Sequence, residues 1–401
     1  MTHCINVYKG LRYTNSGDVQ FCCKSDMFLD DKDGNKAQIY THTLEEAQNG
    51  NLAVEIREDL ERGVKHKNCQ KCWDEEEAGI SSKRILDNQR AIRYWGERYL
   101  NDKVVSPEIV EFNFGTICNL KCRICGPWSS SRWNSEFYEL LAGEDYPKEH
   151  HDNQVSLWQG NWEDDSPAWD NISKSIGNLR HIDFYGGEPF LVDRNWEILK
   201  QNVENGNSSN QYIHFNTNGT RYEEEHIEIL KSYRRINISL SIDDMGERFN
   251  YQRHPANWDI VNENLKKFKE LEEEFPQFEV MVCVTVNNLN LWYIPELVNY
   301  FDSMGIPYYI NYLHYPSHYN ISNLKQDVKP LVAQKYDEAM MEMQCNYSKD
   351  NLKAIINYMN VNIGTAERWN EFLNKTEFSD KYRKQNFKSV FPEWADVLGI
   401  V

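Results

Sequence analysis

The sequence predicts an α/β fold built on a parallel sheet, and three observations point to it. From Glu108 onward, short apolar runs alternate with segments of helical period, the pattern of repeated strand–helix units. Six runs qualify as strands: Ile109 to Phe114, Arg180 to Phe184, Gln211 to Asn216, Ile236 to Ile242, Phe278 to Val286 and Pro307 to Leu313. The intervening segments carry one-sided apolar faces. Val261, Leu265, Phe268 and Leu271 share a face of a helix over Ile260 to Glu272, and a second helix over Ile294 to Ser303 stops at Gly305. Finally, the two segments richest in chemistry each follow a strand, and parallel α/β sheets place their sites at strand C-terminal ends.

Residues 1 to about 100 read differently. Tyr13-Thr-Asn-Ser-Gly-Asp followed by Val19-Gln-Phe-Cys-Cys predicts a hairpin turning at Gly17. A helix is expected to start after Thr43, whose side chain can cap while Glu46 reaches back. Leu324 to Val401 carries helical patterns. Met340, Met341, Met343, Ile355, Ile356, Tyr358 and Met359 there are read as core filler.

The chain has 401 residues, room for two or three domains, and 62 acidic against 44 basic side chains give a net charge of −18. Such a charge repels polyanions, and no Lys/Arg-rich block offsets it, so nucleic acid is a disfavoured partner. No apolar run has the length of a membrane span, and the opening Met1-Thr-His-Cys-Ile-Asn is unlike a signal peptide. A cytoplasmic protein with reduced thiols is expected, not one stapled by disulfides among its ten cysteines.

Chemistry concentrates in Phe114-Gly-Thr-Ile-Cys-Asn-Leu-Lys-Cys-Arg-Ile-Cys-Gly-Pro, where Cys118, Cys122 and Cys125 occupy one short loop. Three thiolates can hold three irons of a [4Fe-4S] cube and leave the fourth iron open to a reacting molecule. The rival is structural zinc, which would need a distant fourth ligand. Further on stands Arg180-His-Ile-Asp-Phe-Tyr-Gly-Gly-Glu-Pro, whose glycines allow close backbone approach and whose Glu188 can accept from an ammonium. Cys4, Cys22, Cys69 and Cys72 form a second set, closed if all four bind. It suits structural zinc or a fully ligated iron–sulfur cluster. Cys23 can replace Cys22, but strand neighbours face opposite ways, so only one should reach the metal. Cys283, in an apolar strand, is read as a small buried hydrophobe and Cys345 lies in the C-terminal helical part, with return of a hydrogen atom to a substrate the lesser alternative for either. His214 and His314 are read as core or surface residues.

The triad spacing and the Gly-Gly-Glu-Pro segment together resemble the radical SAM superfamily. That resemblance implies a partial (β/α)6 barrel over residues 101–320, with S-adenosylmethionine (SAM) bound at the open iron and cleaved reductively to a 5'-deoxyadenosyl radical. It further implies that Gly186, Gly187, Glu188 and Pro189 take the methionyl amino group and that Ser241 and Arg253 take the ribose and carboxylate, with Asp243 near. Ile124 stands where an aromatic residue commonly packs on adenine. The spacing of Cys4, Gly17 and Cys22, with the later Cys69 and Cys72, is similar to the opening of SPASM and twitch domains, implying an auxiliary [4Fe-4S] cluster in residues 1–100. That domain precedes the barrel here, whereas in several twitch enzymes it follows. Residues 321–401 would form a helical extension. Such relatives modify peptides or oxidise small polyols, so a peptide is the leading substrate and an aminocyclitol the second. A flavodoxin- or ferredoxin-type protein would be the electron donor. A non-catalytic iron–sulfur electron-transfer protein and a zinc-stabilised binding module are the rivals. Neither accounts for the glycine-rich segment and the open triad together.

Overall fold

The computed structural model describes residues 2–400 apart from 78, 80, 143–147 and 161. Its strands are β1 (Gly10–Tyr13), β2 (Val19–Gln20), β3 (Ile109–Asn113), β4 (His181–Tyr185), β5 (Tyr212–Thr217), β6 (Arg235–Ser241), β7 (Phe278–Val286) and β8 (Tyr308–Tyr312). They form a mostly parallel sheet in the order β2-β1-β3-β4-β5-β6-β7-β8. All six strands expected from the sequence are present, each with ends within one residue of the expected position. The two further strands come from the N-terminal hairpin, which turns at Gly17 with φ of +84°. β1 pairs antiparallel with β2 and parallel with β3, so the hairpin extends the sheet.

Contacts divide the chain into two compact units. One comprises Met1–Ile117, Gln154–Asn216 and Glu223–Asn237, the other Cys118–Asn153, Thr217–Tyr222 and Ile238–Val401.

In the first unit, strand alternation sorts the side chains of β3, β4 and β5. Phe112, Phe184 and Phe215 are fully buried on one face, with Phe184 and Phe215 stacked at 4.8 Å. On the other face Arg12, Glu111, Asp183 and His214 stand in direct register across four strands. Burying that polar row demands partners, and the helix Lys83–Trp95, capped by Ser82, supplies them. Lys83 reaches Glu111 at 2.7 Å and Asp87 at 3.2 Å, and Arg90 reaches Asp87 at 2.6 Å. The expected capping box also forms, with Thr43 and Glu46 reciprocally bonded at the start of Leu44–Gln48.

In the second unit β7 is buried along most of its length, as a strand covered on both faces must be. The helix Trp258–Glu274 buries Val261, Leu265, Phe268 and Leu271, the face read from the sequence. The helix Ile294–Ser303 has the expected bounds. Among the C-terminal methionines, Met343 and Met359 are core, but Met341 is 81% exposed and fills nothing.

Candidate functional site

The loop Cys118–Cys125 has no regular secondary structure and is held from both sides. Lys121 and Arg123 donate backbone N–H groups to the carbonyls of His254 and Gln252, each at 2.7 Å, so residues 252–254 strap the loop. Ser130 Oγ donates to the Leu120 carbonyl at 2.5 Å, and Trp133 Nε1 to that of Cys122 at 3.1 Å. Leu120 N–H points at Cys118 Sγ, 3.4 Å away. Asn218 Nδ2 lies 4.0 Å from the same sulfur while donating to Asn119. Such donors stabilise a thiolate.

The strap also brings Arg253 to the thiols. The mutual influence of Cys122 and Cys125 lowers the Cys122 pKa and raises that of Cys125 well above the ordinary thiol value. Arg253 adds a nearby positive charge favouring the thiolate in both. Burial alone would depress the Arg253 pKa. Asp243 and the sulfurs outweigh it, so the guanidinium is held charged. Arg253 pairs with Asp243 at 2.7 Å, yet its buried Nε–H has no hydrogen-bond partner among the described residues. Asp243 in turn accepts from Thr285 N–H at 2.8 Å. Thus Cys122, Cys125, Arg253 and Asp243 come together. Ile124 is partly exposed between two of the cysteines, and Ser241 is partly exposed at the end of β6.

A second layer behind the loop was not visible in the sequence. Arg123 is fully buried against the face of Tyr251 at 3.8 Å. Its guanidinium donates to Asp380, to Gln385 at 2.9 Å and to the Thr376 carbonyl at 3.3 Å. Alongside, Glu136 takes Lys121 and Arg383, both at 2.9 Å. The helix Ala366–Arg383 therefore braces the cysteine loop. Truncating Arg123 to alanine leaves Asp380 without its cation, a loss of about 3 kcal/mol for a broken buried pair. A large drop in the thermal unfolding midpoint is the expected result, with Tyr251→Phe costing only about 1 kcal/mol for one hydrogen bond.

In the first unit Gly186 adopts φ of +129°, and a Cβ there would lie 3.0 Å from Asn113 Oδ1 and 3.3 Å from Phe114 N. Both conformation and space therefore require glycine. Glu188 is 1% exposed, donates its N–H to the Ile117 carbonyl at 2.7 Å and caps Phe190 N–H through Oε1 at 3.0 Å. Pro189 opens the short 3-10 turn Pro189–Leu191.

His214 is no open candidate. With His181 it donates to one oxygen of Asp183, each at 2.9 Å, and burial drops the His181 pKa to about 4, keeping it neutral. His314 lies against Tyr358, Cys283 is buried, and Cys345 precedes a helix.

Of the N-terminal cysteines, Cys4 and Cys72 are buried, Cys22 and Cys69 partly exposed and Cys23 exposed. Burial first, then the Cys69 sulfur with Cys72 contributing, pushes the Cys4 thiol up. Cys22 likewise senses Cys4. Burial pushes Cys69 up to about 12, aided by Cys72. The four thiols thus share one neighbourhood, with Lys83, Arg84 and Lys24 as nearby cations. Cys22 and Cys23 lie in a bend and turn beyond β2, so strand alternation is not what separates them. Both sense the Glu111 and Lys83 charges. Asn68 joins the halves of the set, its Oδ1 accepting from Asp26 N–H at 3.0 Å and Met27 N–H at 2.8 Å beside the turn that carries Cys69.

Among the described residues, the trio with ligand atoms within 4.8 Å of one another is Glu55, Asp59 and His66, not a set of thiols. The His66 trio does not suit a metal. Its Nδ1 accepts from Asn68 N–H at 3.1 Å, which puts the proton on Nε2, and that nitrogen faces Glu55 at 3.3 Å. A metal-bound histidine instead donates from its other nitrogen.

Residues 112–301 match the Radical SAM superfamily. No curated protein matches the chain in sequence. Among solved structures, anSMEcpe with bound AdoMet and Kp18Cys peptide is 19% identical at a TM-score of 0.37, over 57% of this chain and 59% of that one. Streptococcus suis SuiB bound to S-adenosylmethionine is 14% identical at 0.36, over 84% and 70%. SuiB bound to precursor peptide SuiA is 14% identical at 0.35, over 96% and 74%. The chain thus spans under two thirds of anSMEcpe. Among the described residues no helix is long and apolar enough to cross a membrane.

Proposed function

We propose that this chain is a radical SAM enzyme that abstracts a hydrogen atom from a peptide substrate. The observation that carries it is the loop of Cys118, Cys122 and Cys125, strapped so that the charged Arg253 meets two of its thiols, inside the segment matching the superfamily. When bound, a [4Fe-4S] cluster on this triad supplies the electron that cleaves SAM to methionine and a 5'-deoxyadenosyl radical. The residues present fit these groups. The buried Nε–H of Arg253, without a partner among the described residues, is a donor for the methionyl carboxylate, and Arg is suited to carboxylates by its planar fork. Gly186, Gly187, Glu188 and Pro189 take the ammonium end, Ser241 the ribose, and Ile124 packs on adenine.

We assign Cys4, Cys22, Cys69 and Cys72 to an auxiliary [4Fe-4S] cluster, for which the mutual influence of their thiols and the surrounding cations speak. The twitch-like part is then residues 1–100, the partial barrel 101–320 and the helical extension 321–401. The peptide assignment follows the twitch resemblance and the net charge of −18, which suits a basic peptide. Thiolate ligands need a reducing compartment, so we place the protein in the cytoplasm.

Anaerobic reconstitution tests this directly: about eight irons per chain and 5'-deoxyadenosine on reduction are expected, whereas absence of both overturns it. Glu188→Gln separates SAM binding from cluster assembly. Glutamine retains an acceptor for Phe190 N–H but loses the charge facing an ammonium, a bond worth about 1.5–3 kcal/mol, or about 10- to 100-fold in affinity. Iron content should hold while the SAM dissociation constant rises by that factor. SAM binding as tight as in the parent would show that Glu188 only caps its turn.

A further inference from the structure

The C-terminal helices enclose a cleft of about 820 Å³ behind the cysteine loop. Its rim carries Lys325, Lys381, Lys384 and Lys388, and its walls include Trp369 and Phe387. Its floor is Thr376, Asp380 and Gln385, the three residues that hold the Arg123 guanidinium. From Asp380 to Lys388 the chain has four cationic residues and one acidic residue, a local reversal in a chain of net charge −18. Lys384 and Lys388 are exposed, whereas Lys381 pairs with Glu377 at 2.6 Å and Lys325 lies over Trp369 at 5.2 Å.

We propose that this lysine-rimmed cleft is the docking site of a small acidic one-electron carrier protein, which reduces the cluster on Cys118, Cys122 and Cys125. It rests on the cluster assignment above. Three features favour this occupant. An acidic carrier is repelled by the chain as a whole and needs a local positive surface, which steers association over about one Debye length. A small anion would need buried donors aimed into the cleft, but Arg123 is already bound by Asp380, Gln385 and Thr376, and Lys384 and Lys388 are exposed. Finally, the floor touches the side chain of Arg123, the residue bonded to Cys122, so a seated carrier is separated from the cysteine loop by one side chain. In the step itself the carrier is oxidised by one electron, the cluster is reduced by one, and no bond forms or breaks.

The test uses the full reconstituted chain and a bacterial flavodoxin as probe. Lys388→Glu reverses one charge, and Lys384→Asn removes another while tolerating the left-handed backbone there, φ of +55°. In the double variant the flavodoxin dissociation constant at low salt should rise at least tenfold, and its salt dependence should flatten. SAM cleavage driven by reduced flavodoxin should slow in proportion, while cleavage driven by dithionite is unchanged. Flavodoxin bound equally well by parent and variant, or not bound by the parent, overturns the docking site. So does a loss of dithionite-driven cleavage, or a raised peptide KM with dithionite as reductant, which would make the cleft a substrate site. If the parent cleaves no SAM with dithionite, the enzymatic assignment itself fails, a result distinct from a failure of binding.

Discussion

Replacing Cys118, Cys122 and Cys125 together by alanine is expected to abolish 5'-deoxyadenosine formation and to lower iron from about eight to about four per chain. Three ligands from one loop leave no protein atom to hold a cluster once they are gone, so loss should be complete. The N-terminal set belongs to the other compact unit and should keep its iron. The fold should persist, because the loop is held by backbone bonds to residues 252–254 and by Arg123, neither of which involves a cysteine sulfur. Liquid chromatography of reduced reaction mixtures, with iron counting, reads both effects. Undiminished 5'-deoxyadenosine from the triple variant would falsify the assignment.

The second large effect belongs to Cys4, Cys22, Cys69 and Cys72. With the triad removed, the remaining iron reports this set alone, and its EPR signal should not respond to SAM, since four protein ligands leave no open iron. Adding Cys69→Ser and Cys72→Ser should remove the remaining four irons. Cys23→Ser should retain them, because Cys22 senses the Cys4 sulfur and is the proposed ligand. Stoichiometric zinc after anaerobic iron reconstitution would make the domain a structural staple. A SAM-sensitive signal would mean that one of the four is not a ligand.

What the sequence by itself determined is local in chain distance. The six strands from Ile109 onward, the helices around Val261 and Ile294, the capping box at Thr43 and the turn at Gly17 follow from periodicity and turn chemistry within a few residues. The Cys118 to Cys125 loop and the Gly-Gly-Glu-Pro segment stand out for the same reason, as short motifs with their own chemistry, whereas Cys4, Cys22, Cys69 and Cys72 are spread along the chain and are grouped by resemblance. Tertiary structure alone decided which distant groups meet. Glu111, Asp183 and His214 fall in one row because three strands pair in register, which no local pattern encodes. That register, not solvent, explains His214. The brace of the cysteine loop joins Arg123 to Asp380 across 257 positions. Lysines scattered through a strongly acidic chain form a rim only because the helices after residue 324 fold Lys325 back beside Lys381, Lys384 and Lys388. Such pairings depend on packing and desolvation among segments far apart in the chain, where a charged residue reads simply as surface until its partner is placed beside it.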